Sequence, residues 1–187
     1  MKPAEGGLTS LKVKISTPTG PIPAGRGFYQ LEEESLYLPV IHADSDRHFF
    51  SYLDSETVSL QLDREGRLIF IEVPVPRRRW HLRQNLVHPE KAEPVDIRFI
   101  DFRTSFPAPT LFCSPYRNEL LIRFQRDVAE QNCYLAENLI AQVSAENRLV
   151  AIWAFDILDD LAGREISAWR RKYRVRQQIS PLPAVQP

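Results

Sequence analysis

The stretch Val58–Val73, VSLQLDREGRLIFIEV, predicts a β-hairpin and decides the fold class. Apolar and polar residues alternate from Val58 to Asp63, which is the period-2 pattern of a strand with one buried face. A tight turn follows, and Gly66 stands where a positive φ costs least. Leu68–Val73 is an almost unbroken apolar run, as expected of a strand buried on both faces.

The hairpin recurs in the second half of the chain as Leu139–Ala154, LIAQVSAENRLVAIWA. Aligning Ser55–Glu72 with Ala136–Trp153 gives six identities, where chance alone would give about one, so the sequence predicts an internal repeat. Asn147 takes the place of Gly66, and asparagine is the residue that best tolerates left-handed backbone after glycine. The identical pairs are Glu56/Glu137, Gln61/Gln142, Glu65/Glu146, Arg67/Arg148, Leu68/Leu149 and Ile71/Ile152.

Further strand patterns extend the repeat over most of the chain. They lie at Leu11–Ser16, Phe28–Leu31, Leu36–Ile41, His48–Leu53 and Val95–Phe102. The last of these matches the first, with Val95 in the place of Leu11 and Phe99 in the place of Ile15. We therefore expect a mainly β (α+β) protein, in which two homologous antiparallel meanders share one core with pseudo-two-fold symmetry and a C-terminal helix is added.

The predicted organisation has a first repeat over 8–76, a linker over 77–94 and a second repeat over 95–157. A C-terminal helix over 158–179 and a tail over 180–187 complete it. Asp159 or Asp160 is the expected N-cap of this helix, and basic residues lie toward its end, where the helix dipole favours them. Helical spacing puts Leu161, Ala168 and Trp169 on one face, so Trp169 is expected to pack on the sheet.

Composition limits the class of protein. Twenty-four basic and 24 acidic side chains leave no net charge, which disfavours a general polyanion binder but not a local basic patch. No stretch approaches the roughly 20 apolar residues that cross a bilayer, and the N-terminus has no signal-peptide core. Cys113 and Cys133 are therefore expected to be reduced thiols of a cytoplasmic protein without membrane association.

Two segments of the first repeat resemble a family of small bacterial domains of unknown function. Leu36-Tyr37-Leu38 matches the first strand of those domains, and Asp63 with Gly66–Glu72 matches their closing aspartate–glycine–arginine–leucine hairpin. The second repeat keeps Asn147–Ile152 but lacks the turn glycine and the final glutamate. The resemblance implies a compact β-rich fold and no established activity. Since family members carry one copy, a fused pair would imitate a dimer.

One candidate site is the segment His42–His48. In an extended strand, side chains repeat on one face every two residues, so His42, Asp44, Asp46 and His48 share a face. Two imidazoles and two carboxylates suit zinc or another divalent ion. A short strand spreads its ends too far for all four to bind one ion, and a polar loop explains the same residues.

The second candidate is a basic–aromatic surface made by two segments, each of which follows the last strand of a repeat. Arginines neutralise phosphates while aromatic rings stack on bases, a combination that is used for single strands and RNA. The alternative is that both tryptophans are core residues and the arginines form a solvated rim. The residues are Arg77, Arg78, Arg79, Trp80 and Arg83, then Trp169, Arg170, Arg171, Tyr173 and Arg174.

Catalysis has little support, because neither cysteine lies in a nucleophile motif. The sequence favours a non-enzymatic binding or assembly module with no cofactor. Its basic–aromatic surface would bind a protein partner, a second copy of the chain, an anion or, less strongly indicated, RNA. The alternative is a zinc-binding protein or metal-dependent enzyme that uses His42–His48.

Overall fold

The computed structural model describes residues 10–44 and 48–173, and for Lys172 and Tyr173 it describes the backbone only. The first half contains β1 (Val13–Ser16), β2 (Phe28–Gln30), β3 (Ser35–Pro39), β4 (Ser51–Asp54), β5 (Ser59–Leu62), β6 (Leu68–Val73), β7 (His81–Leu82) and β8 (Glu93–Pro94). The second half contains β9 (Asp96–Phe99), β10 (Thr104–Ser105), β11 (Thr110–Cys113), β12 (Leu120–Arg123), β13 (Gln131–Ala136), β14 (Leu139–Val143), β15 (Leu149–Ala154) and β16 (Leu158–Asp160). The helix α1 (Arg164–Tyr173) follows. The predicted class, mainly β with a C-terminal helix, is confirmed.

Both predicted hairpins are present, as β5–β6 and β14–β15. Leu60 pairs with Ile71 in the first, and Ala141 pairs with Ile152 in the second, so equivalent residues are paired in the two hairpins. The pairing is irregular at the equivalent point in both hairpins. The turn residues Gly66 and Asn147 both have positive φ, at 79° and 56°, which confirms that asparagine keeps the turn.

Two seven-stranded sheets contain most of the strands. Their orders are β10-β4-β5-β6-β3-β2-β16 and β7-β11-β12-β15-β14-β13-β8. The five central strands of each sheet are antiparallel and correspond to one another in chain order. Neither sheet is the simple meander that we expected, because β3 lies beside β6 instead of β4, and β12 lies beside β15. The alternating pattern predicts strands well but does not specify which strands are neighbours.

Period-2 alternation places the shared core between the sheets. Leu36 and Leu38 on β3, like Leu120 and Ile122 on β12, point into one cluster that draws on both halves of the chain. The residue between each pair faces outward, Tyr37 toward α1 and Leu121 toward the opposite surface. The two halves therefore share one hydrophobic core.

The halves also exchange their edge strands. The strand β7 follows the first sheet in the chain but pairs with β11 of the second, while β16 follows the second sheet and pairs with β2 of the first. The segment 77–94 is thus more than a linker, since both β7 and β8 belong to the second sheet.

The pair β1–β9 joins the halves as a separate antiparallel ribbon. Lys14 lies opposite Arg98, which is its equivalent in the second half of the chain. A two-fold axis through the ribbon would produce this pairing of equivalent residues. The symmetry and the common origin of the halves stay predictions.

The helix begins at Arg164, later than expected, because Leu158–Asp160 forms β16. Asp160 does not flank the helix as its N-cap residue, but its buried carboxylate still caps the first turn, since it accepts hydrogen bonds from the backbone N–H of Glu165 (3.5 Å) and Ile166 (3.2 Å). The predicted face was wrong in part, because Leu161 and Ala168 are exposed and Ile166 is buried with Trp169. Residues 174–187, including the predicted tail, lie outside the described residues. In the part that is described, the chain contains no helix with the length and apolar character needed to span a membrane.

Candidate anion-binding site

The predicted metal segment is not assembled into a ligand set by its described residues. His42 donates a hydrogen bond from Nε2 to the carbonyl of Leu68 (2.9 Å), and Asp44 lies 3.9 Å from Arg67. His48 is exposed, and Asp46 lies outside the described residues. Within 10–44 and 48–173, no three histidine, cysteine or carboxylate side chains are grouped to hold a metal ion. No described contact therefore supports the metal prediction.

The first arginine segment begins with a 3₁₀ turn, Arg77–Arg79, and ends with a buried tryptophan. The Trp80 ring is 3% exposed, donates its indole N–H to the carbonyl of Val75 (3.1 Å) and meets the edge of the Tyr29 ring at 5.7 Å. Arg77 lies 3.9 Å from the centre of the Tyr29 ring and forms an ion pair with Asp159. Trp80 is thus a core residue and cannot stack on a bound base.

The second arginine segment lies on α1 and is also fixed by aromatic packing. Trp169 stacks on Phe70 with ring centroids 4.4 Å apart. Arg170 lies 4.9 Å from the centre of the Tyr37 ring and 3.8 Å from the carboxylate of Glu33. Arg171 is exposed, whereas the Tyr173 side chain and Arg174 lie outside the described residues.

The structure brings the two arginine segments to one surface, through the turn between β2 and β3. Glu33 of this turn pairs with Arg170, and Glu34 pairs with Arg78. The convergence agrees with the predicted basic–aromatic surface. Its chemistry differs from the prediction, because carboxylates neutralise these arginines and both tryptophan rings are buried.

Arg83 lies elsewhere, on the outer face of the second sheet. Its backbone N–H donates to the carbonyl of Cys113 (2.9 Å), which continues the pairing of β7 with β11. Its guanidinium carbon lies 4.9 Å from the centre of the Phe112 ring. Arg123, on the other neighbour of β11, places its own guanidinium carbon 5.1 Å from the same ring centre. The separation of the two guanidinium carbons is therefore at most the sum of their distances from the ring centre.

A pocket of about 300 Å³ opens beside these three side chains, and we name it the Phe112 pocket. No aspartate or glutamate is among its lining residues. Neither Arg83 nor Arg123 forms an ion pair with a carboxylate of the described residues. Neither guanidinium group of the pocket is thus in direct contact with a carboxylate of the described chain. The other lining residues are Asn85, Leu86, Val87, Leu121, Gln142 and Trp153.

A chain of hydrogen bonds orients the polar group in the wall of the pocket. The indole N–H of Trp153 donates to Oε1 of Gln142 (3.0 Å), and Nε2 of Gln142 donates to Oδ1 of Asn132 (3.0 Å). These two contacts fix which end of the Gln142 amide is oxygen and which is nitrogen. The wall therefore combines a fixed amide with the apolar surfaces of Leu86 and Leu121.

A second pocket lies between the two halves of the molecule, and its arginine, unlike those of the Phe112 pocket, is paired with a carboxylate. It has a volume of about 270 Å³ and contains the buried side chain of Arg67. Asp96 lies 3.0 Å from Nε of Arg67 and 2.8 Å from Arg98, and Thr19 accepts from Nη2 of Arg67 (3.1 Å). The charge of Arg67 is therefore neutralised by the chain itself, and this group joins the halves.

The two cysteines do not provide a nucleophile. Both thiols are buried. Burial raises the pKa of the Cys113 thiol, and burial raises the pKa of the Cys133 thiol to about 11. Both groups are thus held as unreactive thiols at neutral pH.

Of the residues that line the Phe112 pocket, only Arg83 was predicted from the sequence as a site residue. Alternation does place Phe112 on one face of a strand, and it places Leu121 and Arg123 together on one face of the next. It could not show that these faces are adjacent to β7, because β7 belongs by chain order to the first half. The missed residues that matter most are Phe112, Arg123, Gln142 and Trp153.

Comparison with known proteins adds no assignment to this geometry. No protein-family model matches the chain, and no curated protein matches its sequence significantly. The resemblance of the repeats to a family of small bacterial domains stays a prediction.

Proposed function

We propose that this protein is a non-enzymatic binding module that holds a small anionic ligand in the Phe112 pocket. The observation that carries the proposal is the pair of guanidinium groups, Arg83 and Arg123, placed over one phenylalanine ring in a pocket without a lining carboxylate. The lining groups are guanidiniums, amides and apolar side chains, none of which transfers protons near neutral pH. They suit binding better than acid–base chemistry.

The phenylalanine ring orients the arginines without cancelling their charge. A carboxylate partner would hold a guanidinium equally well, but it would occupy the N–H donors and neutralise the charge, as Glu34 does for Arg78. A cation–π contact restrains the guanidinium and leaves its edge N–H groups free to bind an oxyanion with two parallel hydrogen bonds. An oxyanion that binds these arginines therefore has no carboxylate partner among the described residues to displace.

Calorimetric titration with inorganic phosphate, sulfate and citrate, at constant ionic strength, tests the proposal. We expect at least one of these anions to bind. Arg83→Gln and Arg123→Gln should each weaken binding by about tenfold or more, because each removes charge-assisted hydrogen bonds. Arg78→Gln is the matched control, since Arg78 is paired with Glu34 on another surface. The affinity of this variant for the anion should equal that of the wild type. If both variants bound the anion with the affinity of the wild-type protein, the proposal would be contradicted.

Single-stranded RNA is the alternative ligand, because the two arginine segments lie at one turn, although Glu33 and Glu34 of that turn pair with Arg170 and Arg78 and disfavour it. Fluorescence anisotropy of labelled RNA across a salt series tests this alternative. RNA binding at that surface would weaken log-linearly with salt, with a shallower slope in the Arg77→Ala/Arg79→Ala and Arg170→Ala/Arg171→Ala variants. If the RNA did not bind even at low salt, the RNA alternative would be ruled out.

A further inference from the structure

We propose that the ligand of the Phe112 pocket is a phosphate monoester of a small organic molecule. This inference rests on the proposed function and names the class of anion. Two guanidinium groups, with no carboxylate in the lining, present a local charge of two. A phosphate monoester carries a charge of about −1.5 to −2 at neutral pH, whereas a carboxylate or a phosphodiester carries one negative charge.

The donor geometry agrees with this charge count. Each guanidinium offers a planar fork of N–H groups that matches two oxygens of a phosphate. A phosphate monoester has three terminal oxygens, so it can accept from both forks at once. Arg83 and Arg123 reach Phe112 from strands on either side of β11, and both line the same pocket. A single carboxylate has only two oxygens for the same donors.

The rest of the wall fits the organic part of a small ester. Leu86, Leu121 and Trp153 supply apolar contact, and the fixed Gln142 amide supplies a hydrogen-bonding group beside them. The volume of about 300 Å³ lies at the lower end of the range for small-molecule sites. The pocket therefore has room for a compact phosphorylated molecule.

The distribution of charge disfavours a polymer in the same pocket. A nucleic-acid strand needs a continuous series of unpaired cations along its backbone. The arginines beyond the pocket, Arg77, Arg78 and Arg170, lie close to Asp159, Glu34 and Glu33. Three of the arginines that a strand could contact outside the pocket are thus already paired with carboxylates of the chain.

Calorimetric titration with phenyl phosphate and with methyl phenyl phosphate at pH 7.5 is the decisive comparison. The two probes share a ring and a phosphorus atom, but the methyl ester has lost one charge and one terminal oxygen. We expect phenyl phosphate to bind about tenfold tighter or more. In Arg123→Gln, which changes an exposed side chain, the ratio should fall severalfold because a single fork remains.

The outcomes separate this inference from the proposed function. Equal affinity of the folded wild-type protein for the two probes would overturn the monoester inference and leave anion binding intact. Binding of citrate or sulfate without binding of phenyl phosphate would likewise overturn the monoester inference and leave anion binding intact. If neither phenyl probe nor any inorganic anion binds, both proposals are overturned.

Discussion

At the scale of the residue, the two hairpin turns look interchangeable in sequence but differ in their surroundings. Gly66 and Asn147 occupy equivalent positions with positive φ. The carbonyl of each turn residue accepts a hydrogen bond from the β1–β9 ribbon, Gly66 from the N–H of Phe99 (2.8 Å) and Asn147 from that of Val13 (2.9 Å). Only at Gly66 does the ribbon also occupy the place of the side chain, since a Cβ atom there would lie 2.3 Å from the carbonyl oxygen of Phe99. Glycine is therefore required at this turn for close approach as well as for φ.

We expect Gly66→Asn to destabilise the protein by about 1–3 kcal/mol, since the new Cβ atom must displace β9. Denaturant unfolding measures the loss. Asn147→Gly is the matched control at the equivalent turn and should change the free energy of unfolding by about 1 kcal/mol or less. A neutral Gly66→Asn variant would show that β9 moves away without cost.

Glu72 lies on the outer face of β6, close to Arg170, Glu33 and Asp54. Burial raises the pKa of the Glu72 carboxyl, and the charge of Arg170 opposes the shift. A raised carboxyl pKa means that the folded state binds more protons than the unfolded state. Its ionisation therefore lowers stability as pH rises from the unfolded pKa through the folded pKa, and the penalty is complete above that range.

We expect Glu72→Gln to be more stable than the wild type at pH 7, and the difference should shrink as pH falls below the unfolded pKa of glutamate. Urea titrations between pH 4 and pH 8 measure this difference. Glu56→Gln, at an exposed glutamate, should change stability by no more than about 0.5 kcal/mol at any of these pH values. A less stable Glu72→Gln variant at pH 7 would show that the Arg170 attraction outweighs desolvation.

At the scale of the element, α1 is the cover of the first sheet. Its contact consists of Ile166 and Trp169 packed on Tyr37, Ile69 and Phe70. Apolar burial of this kind supplies most of the stability of a helix of ten residues, which is marginal by itself in water. The outer face of the second sheet has no helix among the described residues and carries the Phe112 pocket instead.

We expect Trp169→Ala to remove about 3–5 kcal/mol from the contact of α1 with the sheet. The helix should then open locally while the core between the sheets stays folded. Hydrogen exchange of α1 amides, compared with β6 amides, measures this difference. Leu161→Ala changes a side chain that is 73% exposed and should leave both sets protected. Equal loss of protection in α1 and β6 would contradict local opening.

At the scale of the whole molecule, the halves depend on each other in four ways. They share one hydrophobic core, they exchange edge strands, they pair through the β1–β9 ribbon, and the buried Arg67–Asp96 pair links them. A half by itself would expose its inner sheet face and lose both edge strands of its sheet. The fold thus resembles a dimer with exchanged strands that is contained in one chain.

We expect the fragments 1–87 and 88–187 to be unfolded when separate and to form a one-to-one complex when mixed. Sedimentation measures the association, and near-ultraviolet circular dichroism shows whether the tryptophans are packed. Cooperative unfolding of either fragment alone would contradict this dependence.

The sequence by itself determined the local structure of this protein. Period-2 alternation, two turn residues that tolerate positive φ and the recurrence of one hairpin pattern were enough to predict both hairpins and their shared register. Asp160 as a helix cap and Trp169 on the sheet were also predictable. These features depend on side chains within a few residues of each other, or on a face whose polarity is visible in the chain.

Only the tertiary structure decided which strands are neighbours and where a ligand could bind. Alternation marks Leu121 as facing one side of β12, but any strand with a complementary face could pair there. The exchange of β7 brought Arg83 to Phe112 and Arg123, and ion pairs with the β2–β3 turn removed Arg78 and Arg170 from the candidate site. Partner choice is set by packing of the complete core, which no short stretch of sequence contains.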